Sequence, residues 1–527
     1  MKKNRQLAIY AFMTIVCFIL STTNLKSQIT IGSNETPAAG ALLQLKDKPG
    51  IVGGAPNSDK GISMPRVKLE KTNKLAPCAD ETSGTNAIDH VGLVVYNTTS
   101  NEEFCPGMYV WDGQQWVSLF QNSSTDSYIT GDTDANSFII PPTKGIIIPV
   151  ERAYKVWEGL LSYPSGYLSN NEDDITAELI WQDTPDLFNR LTLIRTGYGR
   201  NAMIKLDSGC AISNNKVGNA IVAVRIKKAD GTENEIRWSW HIWVTDYDPS
   251  TSSNDFNSFT WMDRNLGATN ITPGDMGSIG LFYQWGRKDP FPGSKSRESG
   301  QSVYPIKDIY DAYNSLTSIN KVEVNVADNI EGAIKNPSTF YTQTQSSVSP
   351  KSWFTNGSTL RQYNLWGAKG TTEGSGVDYK SYYDPCPKGW RVPVIKEHWY
   401  SPWAGANATA QILETDVQWV GPANTAYGVT WGTKWNAYLP ITGNWYPNGD
   451  FNQAATAGNI WSGNSNGSGF SKYLRFMKST SSNAFDDSLK DPSNNTIKGF
   501  GNNFGQHPAH AYPVRCVKDN LTTGTTP

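Results

Sequence analysis

Charge of one sign is what this sequence has least of. Lys and Arg number 46 and Asp and Glu 48, which leaves a formal charge of −2 over 527 residues. A nucleic-acid partner demands a basic face, and the cations are scattered among the acids, so that class of partner is set aside. Long hydrophobic runs are also scarce. One run, Leu7 to Leu20, follows Lys2, Lys3 and Arg5 and gives way to small and polar residues at Ser21 to Ser27. At about 14 residues it is shorter than the roughly 20 that cross a bilayer, and its layout is that of a secretory signal peptide over residues 1–27. Cys17 lies inside the run, with Val16 where a lipoprotein box wants a small residue, so cleavage near Ser27 and Gln28 is expected instead of lipidation. No transmembrane segment is expected after cleavage. The chain is therefore read as exported, secreted or held at the outer cell surface.

Cysteine is the third scarcity. Cys78, Cys105, Cys210, Cys386 and Cys516 remain after cleavage, and no Cys-x-x-Cys or Cys-x-x-His spacing supports a zinc site. An oxidising compartment favours pairing. Several pairings are open; Cys78 with Cys105 and Cys386 with Cys516 are expected, because each pair would lie within one proposed domain and leave only Cys210 over. Asp132-Thr-Asp-Ala-Asn136 imitates the start of a calcium loop, but Ser137 stands where the loop needs Gly and Thr143 where it needs Glu. No metal and no cofactor are expected.

What is present is 47 Gly, 29 Pro and 19 Trp with few long helix-forming runs, which predicts short strands and many turns. The fold class expected is multidomain and β-rich. A first segment, residues 28–122, carries Ile29-Thr-Ile-Gly-Ser33, Ala41-Leu-Leu-Gln-Leu45, Gly61-Ile-Ser-Met-Pro-Arg-Val67, Gly92-Leu-Val-Val-Tyr-Asn97 and Tyr109-Val-Trp-Asp-Gly-Gln-Gln-Trp-Val117. Asp112-Gly113 predicts a hairpin, with Trp111 and Trp116 packed across it. This order of motifs resembles the N-terminal segment of many Bacteroidetes surface and tail-fibre-like proteins, which implies an assembly or presentation role. A polar linker over residues 123–136 leads to a β-sandwich-like domain, 137–249, whose short strands are separated by turn residues. In its last strand Ile236, Trp238, Trp240, Ile242 and Val244 share a core face by the period of two, and Arg237, Ser239, His241 and Trp243 fall on the other. His241 is read as a solvent-facing or satisfied histidine, since sequence fixes no nucleophile or carboxylate near it.

The C-terminal half, residues 253–519, holds four blocks: Trp261-Met-Asp-Arg-Asn-Leu-Gly-Ala-Thr269, Phe282-Tyr-Gln-Trp-Gly-Arg-Lys-Asp-Pro-Phe291, Tyr383-Asp-Pro-Cys-Pro-Lys-Gly-Trp-Arg-Val-Pro393 and Pro513-Val-Arg-Cys-Val517. In this order they resemble the signature of the Fibrobacter succinogenes major paralogous domain, a module frequent in exported Bacteroidetes proteins and near fimbrillins. The resemblance implies an α+β C-type-lectin-like fold, to which a Cys386 to Cys516 bridge would be suited. A long insertion, from about Ser294 to Tyr379, departs from the pattern.

Tryptophan faces stack on pyranose C–H groups while nearby amides and carboxylates take hydroxyls. Trp435, Trp445, Tyr446, Asn448, Asp450 and Trp461 are thus the ligand-binding candidates, read as loop residues. No Glu-Pro-Asn or Gln-Pro-Asp triplet supports calcium-dependent sugar binding. Gly463-Asn-Ser-Asn-Gly467 matches the nucleophile-elbow string but lacks its strand and helix flanks and is read as a loop. Catalysis is not expected. The leading expectation is a cell-surface or fimbria-associated adhesin, a pilus-tip protein being one form, that presents a lectin-like domain to a glycan or surface protein of a host or microbe. The alternatives are a carbohydrate-active enzyme or its glycan-binding accessory module, and a structural pilus or envelope subunit that contacts fimbrial partners.

Overall fold

A computed structural model describes residues 29–33, 41–48, 58–79, 87–99, 104, 106–119, 128–188, 190–207, 216–256, 259–298, 300–355, 365–367, 380–394, 416–422, 426–432, 435–465, 469–477 and 505–520. The expected signal peptide, Cys105, Cys210 and residues 123–127 of the expected polar linker lie outside the described residues, while the rest of that stretch is not a plain linker, because Tyr128–Thr130 forms a strand. The protein is mostly β, with several separate sheets. It divides into two compact units, residues 1–66 with 94–96, and residues 67–93 with 97–527.

In the first unit Ile29–Ile31 pairs in parallel with Leu43–Leu45, Ile29 opposite Leu43 and Ile31 opposite Leu45. A parallel pair normally has both faces covered. Here Ile29, Ile31, Leu43 and Leu45 are all exposed, Ile29, Ile31 and Leu43 by more than half. By the period of two they share one face of the ribbon.

In the second unit the expected hairpin forms between Gly107–Trp111 and Trp116–Ser118, with Trp111 opposite Trp116. Asp112 closes its turn, Oδ1 accepting from the backbone N–H groups of Gln114 and Gln115 at 2.8 and 2.7 Å. The two indoles meet edge to face at 5.5 Å, and their N–H groups donate to Ala87 O and Lys74 O. Both rings are buried and serve packing.

A six-stranded sheet follows, in the order Leu316–Thr317, Ile309–Tyr310, Ile175–Gln182, Gly218–Ile226, Glu235–Val244, Ser137–Ile140. A four-stranded sheet, Arg190–Ile194, Met203–Asp207, Gly145–Pro149, Tyr128–Thr130, shares its hydrophobic core: Ile146, Ile148, Ile204 and Leu206 lie in one cluster with Ile175, Trp181, Val222 and Val224. Two sheets over a common apolar layer are what the sandwich reading predicts. The expected junction at residues 249–253 is not a break in packing. Ile309–Tyr310 and Leu316–Thr317 join this sheet, and the same core continues to Trp285, Trp366, Trp461 and Cys516.

That continuity corrects the one-sided reading of Glu235–Val244. Its second face is as buried as the first: Arg237, Ser239, His241 and Trp243 are each at most 1% exposed. Polar residues are tolerated there because each finds a partner. Ser239 Oγ donates to Asp289 Oδ1 at 2.6 Å, and Arg237 Nε donates to Ile226 O at 3.0 Å.

The C-terminal half contains four more small antiparallel sheets and a parallel pair, Asn320–Glu323 with Thr339–Thr342. The helix Ile330–Lys335 packs Ile330, Ala333 and Ile334 inward. Late strands close early ones: Ala511–Pro513 pairs with Phe282–Gln284, and Val517–Lys518 pairs with both Phe259–Met262 and Trp390–Arg391. Beside them Cys386 and Cys516 form the expected disulfide, Cα to Cα 6.1 Å. Cys78 is a free, half-buried thiol whose pKa burial raises, and its expected partner Cys105 lies outside the described residues.

Candidate functional site

Most charges of the four blocks are buried and hold the core together, Lys388 being an exposed exception. Asp384 accepts from Cys386 N and Val392 N through its two oxygens and pairs with Lys380 Nζ at 2.9 Å, which fixes the turn that delivers Cys386 to its bridge. Arg287 is buried among Phe291, Tyr341 and Trp353 and donates to Gln284 Oε1 and to the carbonyls of Thr339, Asn336 and Pro337. Lys288 is pushed down to about 8 by burial and sits 2.6 Å from Asp289 Oδ1. Arg515 links the last block to the first through Asn265 Oδ1 at 3.0 Å. Several hydrogen-bond partners offset the cost of burying each guanidinium or ammonium, although Arg287 Nε and Arg515 Nη1 have none.

The aromatic ligand candidates are displaced by the same packing. Trp435, Trp445 and Trp461 lie on strands and are 2, 1 and 0% exposed. Trp435 stacks on Phe256 at 5.0 Å, and Trp445 stacks on Phe340 at 5.0 Å while its N–H donates to Pro292 O. Trp461 donates to Tyr283 O. None of the three offers a face to a sugar, because each fills the inner side of a sheet. Asn448 and Asp450 bond each other in an exposed turn, Asn448 Nδ2 donating to Asp450 Oδ2 at 2.7 Å. Gly463, Asn464 and Ser465, read as a loop, end the buried strand Ala457–Ser465.

Tyr446, in contrast, lines a cavity. The pocket, of about 300 Å³, is bounded by Lys351, Asn444, Tyr446, Gln453, Arg475, Gln506, His507, His510 and Tyr512, with Pro447 beside them. Its walls come from strand Asn444–Trp445 and the turn after it, from strand Ser471–Met477, and from the segment between Gly505–Gln506 and Ala511–Pro513. His507 and His510 stack at 5.9 Å with 12° between their planes; Tyr446 and Tyr512 stand 5.2 and 5.7 Å from His510.

Among the described residues no carboxylate lines this pocket, although two cations do. Among the described residues neither Lys351 nor Arg475 is in ion-pair reach of an acid. Arg475 instead donates to Met477 Sδ at 2.8 and 3.1 Å and to Gln453 Oε1 at 3.4 Å. Lys351 acts electrostatically on Glu323, whose carboxylate accepts from Thr342 Oγ1, Thr344 Oγ1 and Thr344 N. The histidines stay neutral. His507 Nδ1 accepts from Lys351 N at 3.0 Å, so its ring proton sits on Nε2, and burial with Lys351 lowers its pKa. His510 is held down to about 3, chiefly by burial and then by His507, with Arg475 and Lys351 adding to the effect. Its buried Nδ1 has no hydrogen-bond partner. The arrangement is a positive, hydrogen-bonding recess with aromatic walls. Among the described residues no group of His, Cys, Asp and Glu is placed to hold a metal ion.

No helix among the described residues is long and apolar enough to cross a membrane. No curated protein and no solved structure matches the chain. Residues 30–137, about a fifth of the sequence, are similar to the family described as a phage tail like trimerisation region.

Proposed function

We propose that the protein is an exported, tail-fibre-like structural protein that assembles as a trimer through its N-terminal segment and carries a β-rich binding unit. One observation supports this above the others. The ribbon of Ile29–Ile31 and Leu43–Leu45 leaves an apolar face exposed, and it lies at the start of the stretch that resembles a trimerisation region. Two short parallel strands do not persist alone in water. Equivalent ribbons from two further copies would cover the face and remove its apolar surface from solvent, at roughly 25 cal/mol per Å². The occupant is thus a second and third copy of the same chain.

The C-terminal half fits a presented unit. Its signature blocks, read as similar to the Fibrobacter succinogenes major paralogous domain, spend most of their charged residues on the core, and the Lys351–Arg475 pocket is a described surface feature with binding chemistry. An adhesin at the cell surface is the form of this reading that the pocket favours.

Light scattering on the secreted chain tests the assembly. The wild type should have the mass of a trimer, and the combined variant Ile31→Ser, Leu43→Ser, Leu45→Ser that of a monomer with an unchanged circular dichroism spectrum. A monomeric wild type at micromolar concentration sinks the proposal.

A further inference from the structure

We infer that the pocket bounded by Tyr446, Arg475, His507 and His510 is a binding site for a sugar acid, a pyranose that carries a carboxylate. Charge is the first argument. Among the described residues, Lys351 and Arg475 bring two cations to a recess without a lining carboxylate, and Arg475, half-buried, has only a thioether and an amide oxygen as hydrogen-bond partners. A guanidinium left in that state is ready for a carboxylate, which matches its fork with two parallel hydrogen bonds.

The walls argue for a sugar as the bearer of that charge. Asn444, Gln453 and Gln506 supply amides, which both donate and accept and so suit hydroxyl groups. Tyr446 and Tyr512 supply ring faces or edges on either side of His510. His510 is 4% exposed, and its buried Nδ1 has no hydrogen-bond partner. Burial of a ring nitrogen without a partner costs free energy unless something occupies the recess. Neutral histidines suit this role, since they add hydrogen-bonding capacity without competing for counter-ions.

Size limits the ligand. A cavity of about 300 Å³ stands at the lower end of ligand pockets, which run from roughly 300 to 1,000 Å³, so it takes a single sugar unit, either free or at the end of a chain. The inference does not rest on trimerisation, because every lining residue belongs to one chain and one compact unit.

The test is saturation-transfer NMR and calorimetry on the full-length secreted protein with glucuronic acid, N-acetylneuraminic acid, glucose and N-acetylglutamate. At least one sugar acid should bind, and glucose and N-acetylglutamate should each bind about tenfold more weakly or less. Arg475→Gln and Lys351→Gln should each weaken the sugar acid by about tenfold, the loss of one charge-assisted hydrogen bond, without moving the thermal midpoint. Equal binding of glucose overturns the charge argument, and equal binding of N-acetylglutamate reassigns the site to acidic peptides. Absence of binding by both sugar acids at about 10 mM overturns the proposal outright. The comparison of acid with neutral sugar uses the unmodified protein, so it decides even where a variant fails to fold.

Discussion

Ser137 Oγ lies 3.1 Å from His241 Nδ1, and Asn219 Oδ1 lies 2.9 Å from the other ring nitrogen, Nε2. Asn219 Nδ2 already donates to Asp183 Oδ2 and Gly267 O, so its oxygen faces the ring and calls for a proton on Nε2. Nδ1 is left to accept from the Ser137 hydroxyl, which is shared with Pro385 O at 2.5 Å. The types are those of a hydrolytic Ser-His-Asn set, but Ser137 and His241 are each 1% exposed. A nucleophile needs an open face towards its substrate. The set here is a satisfied polar core, and its consequence is for stability.

Burial holds His241 down to about 3. The folded protein therefore keeps the ring neutral where the unfolded chain, with an ordinary histidine near pH 6.5, takes up a proton. Stability from this residue is complete above about pH 6.5 and is lost progressively as the pH falls towards 3, by at most about 5 kcal/mol. Denaturant titrations at pH 7 and pH 4.5 should show a smaller difference for His241→Gln than for the wild type. An identical difference would mean that the ring is protonated in the fold.

The Cys386–Cys516 bridge closes a loop with a sequence separation of 130. In the chain-entropy model a loop of that size stabilises by about 5 kcal/mol. Cys386→Ala with Cys516→Ala should lower the urea midpoint accordingly, and dithiothreitol should do the same to the wild type and nothing to the variant. A reductant-insensitive wild type would contradict the bridge.

Gly458 sits inside strand Ala457–Ser465, opposite Phe476. A β-carbon added there would lie 2.0 Å from Phe476 Cζ, with no room to yield in a packed sheet. Gly458→Ala should cost about 2 kcal/mol or more, the range of overpacked cores, and Phe476→Leu should recover part of that loss. If Gly458→Ala is neutral in a thermal melt, the two strands are not in this register.

Trp445 and its neighbour Tyr446 should separate packing from recognition. Trp445→Ala removes a buried ring stacked on Phe340 and should cost about 3 to 5 kcal/mol. Tyr446→Ala, half-buried at the pocket, should leave the midpoint within about 1 kcal/mol. An unchanged melt for Trp445→Ala would place that ring in solvent.

Local signals were legible in the sequence and long-range ones were not. The Asp112-Gly113 turn and its flanking tryptophans could be read because the residues that decide them lie within a few positions of one another. The β-rich class followed from Gly, Pro and Trp content and from the scarcity of long helix-forming runs. His241, Ser239 and Arg237 were readable only as the polar side of a strand; their satisfaction depends on Asn219, Asp289 and Ile226 O, which no local period exposes. Trp435, Trp445 and Trp461 look like loop aromatics because Gly, Asn or Pro surround them, yet around Trp461 those neighbours, Gly458, Asn459, Gly463 and Asn464, lie within the buried strand itself. The pocket was hidden for the same reason. Lys351, Arg475 and His510 meet through strand pairings and loops that bring distant parts of the chain together.

Strands Ala511–Pro513 and Val517–Lys518 complete sheets whose other members begin at Phe282 and Phe259. Protein synthesis is vectorial, so the earlier strands leave the ribosome long before the segments that close them. Pairings of such long range form late and slowly. The half that carries the pocket therefore has no finished core while its last strands are still being made, and it locks only once they arrive.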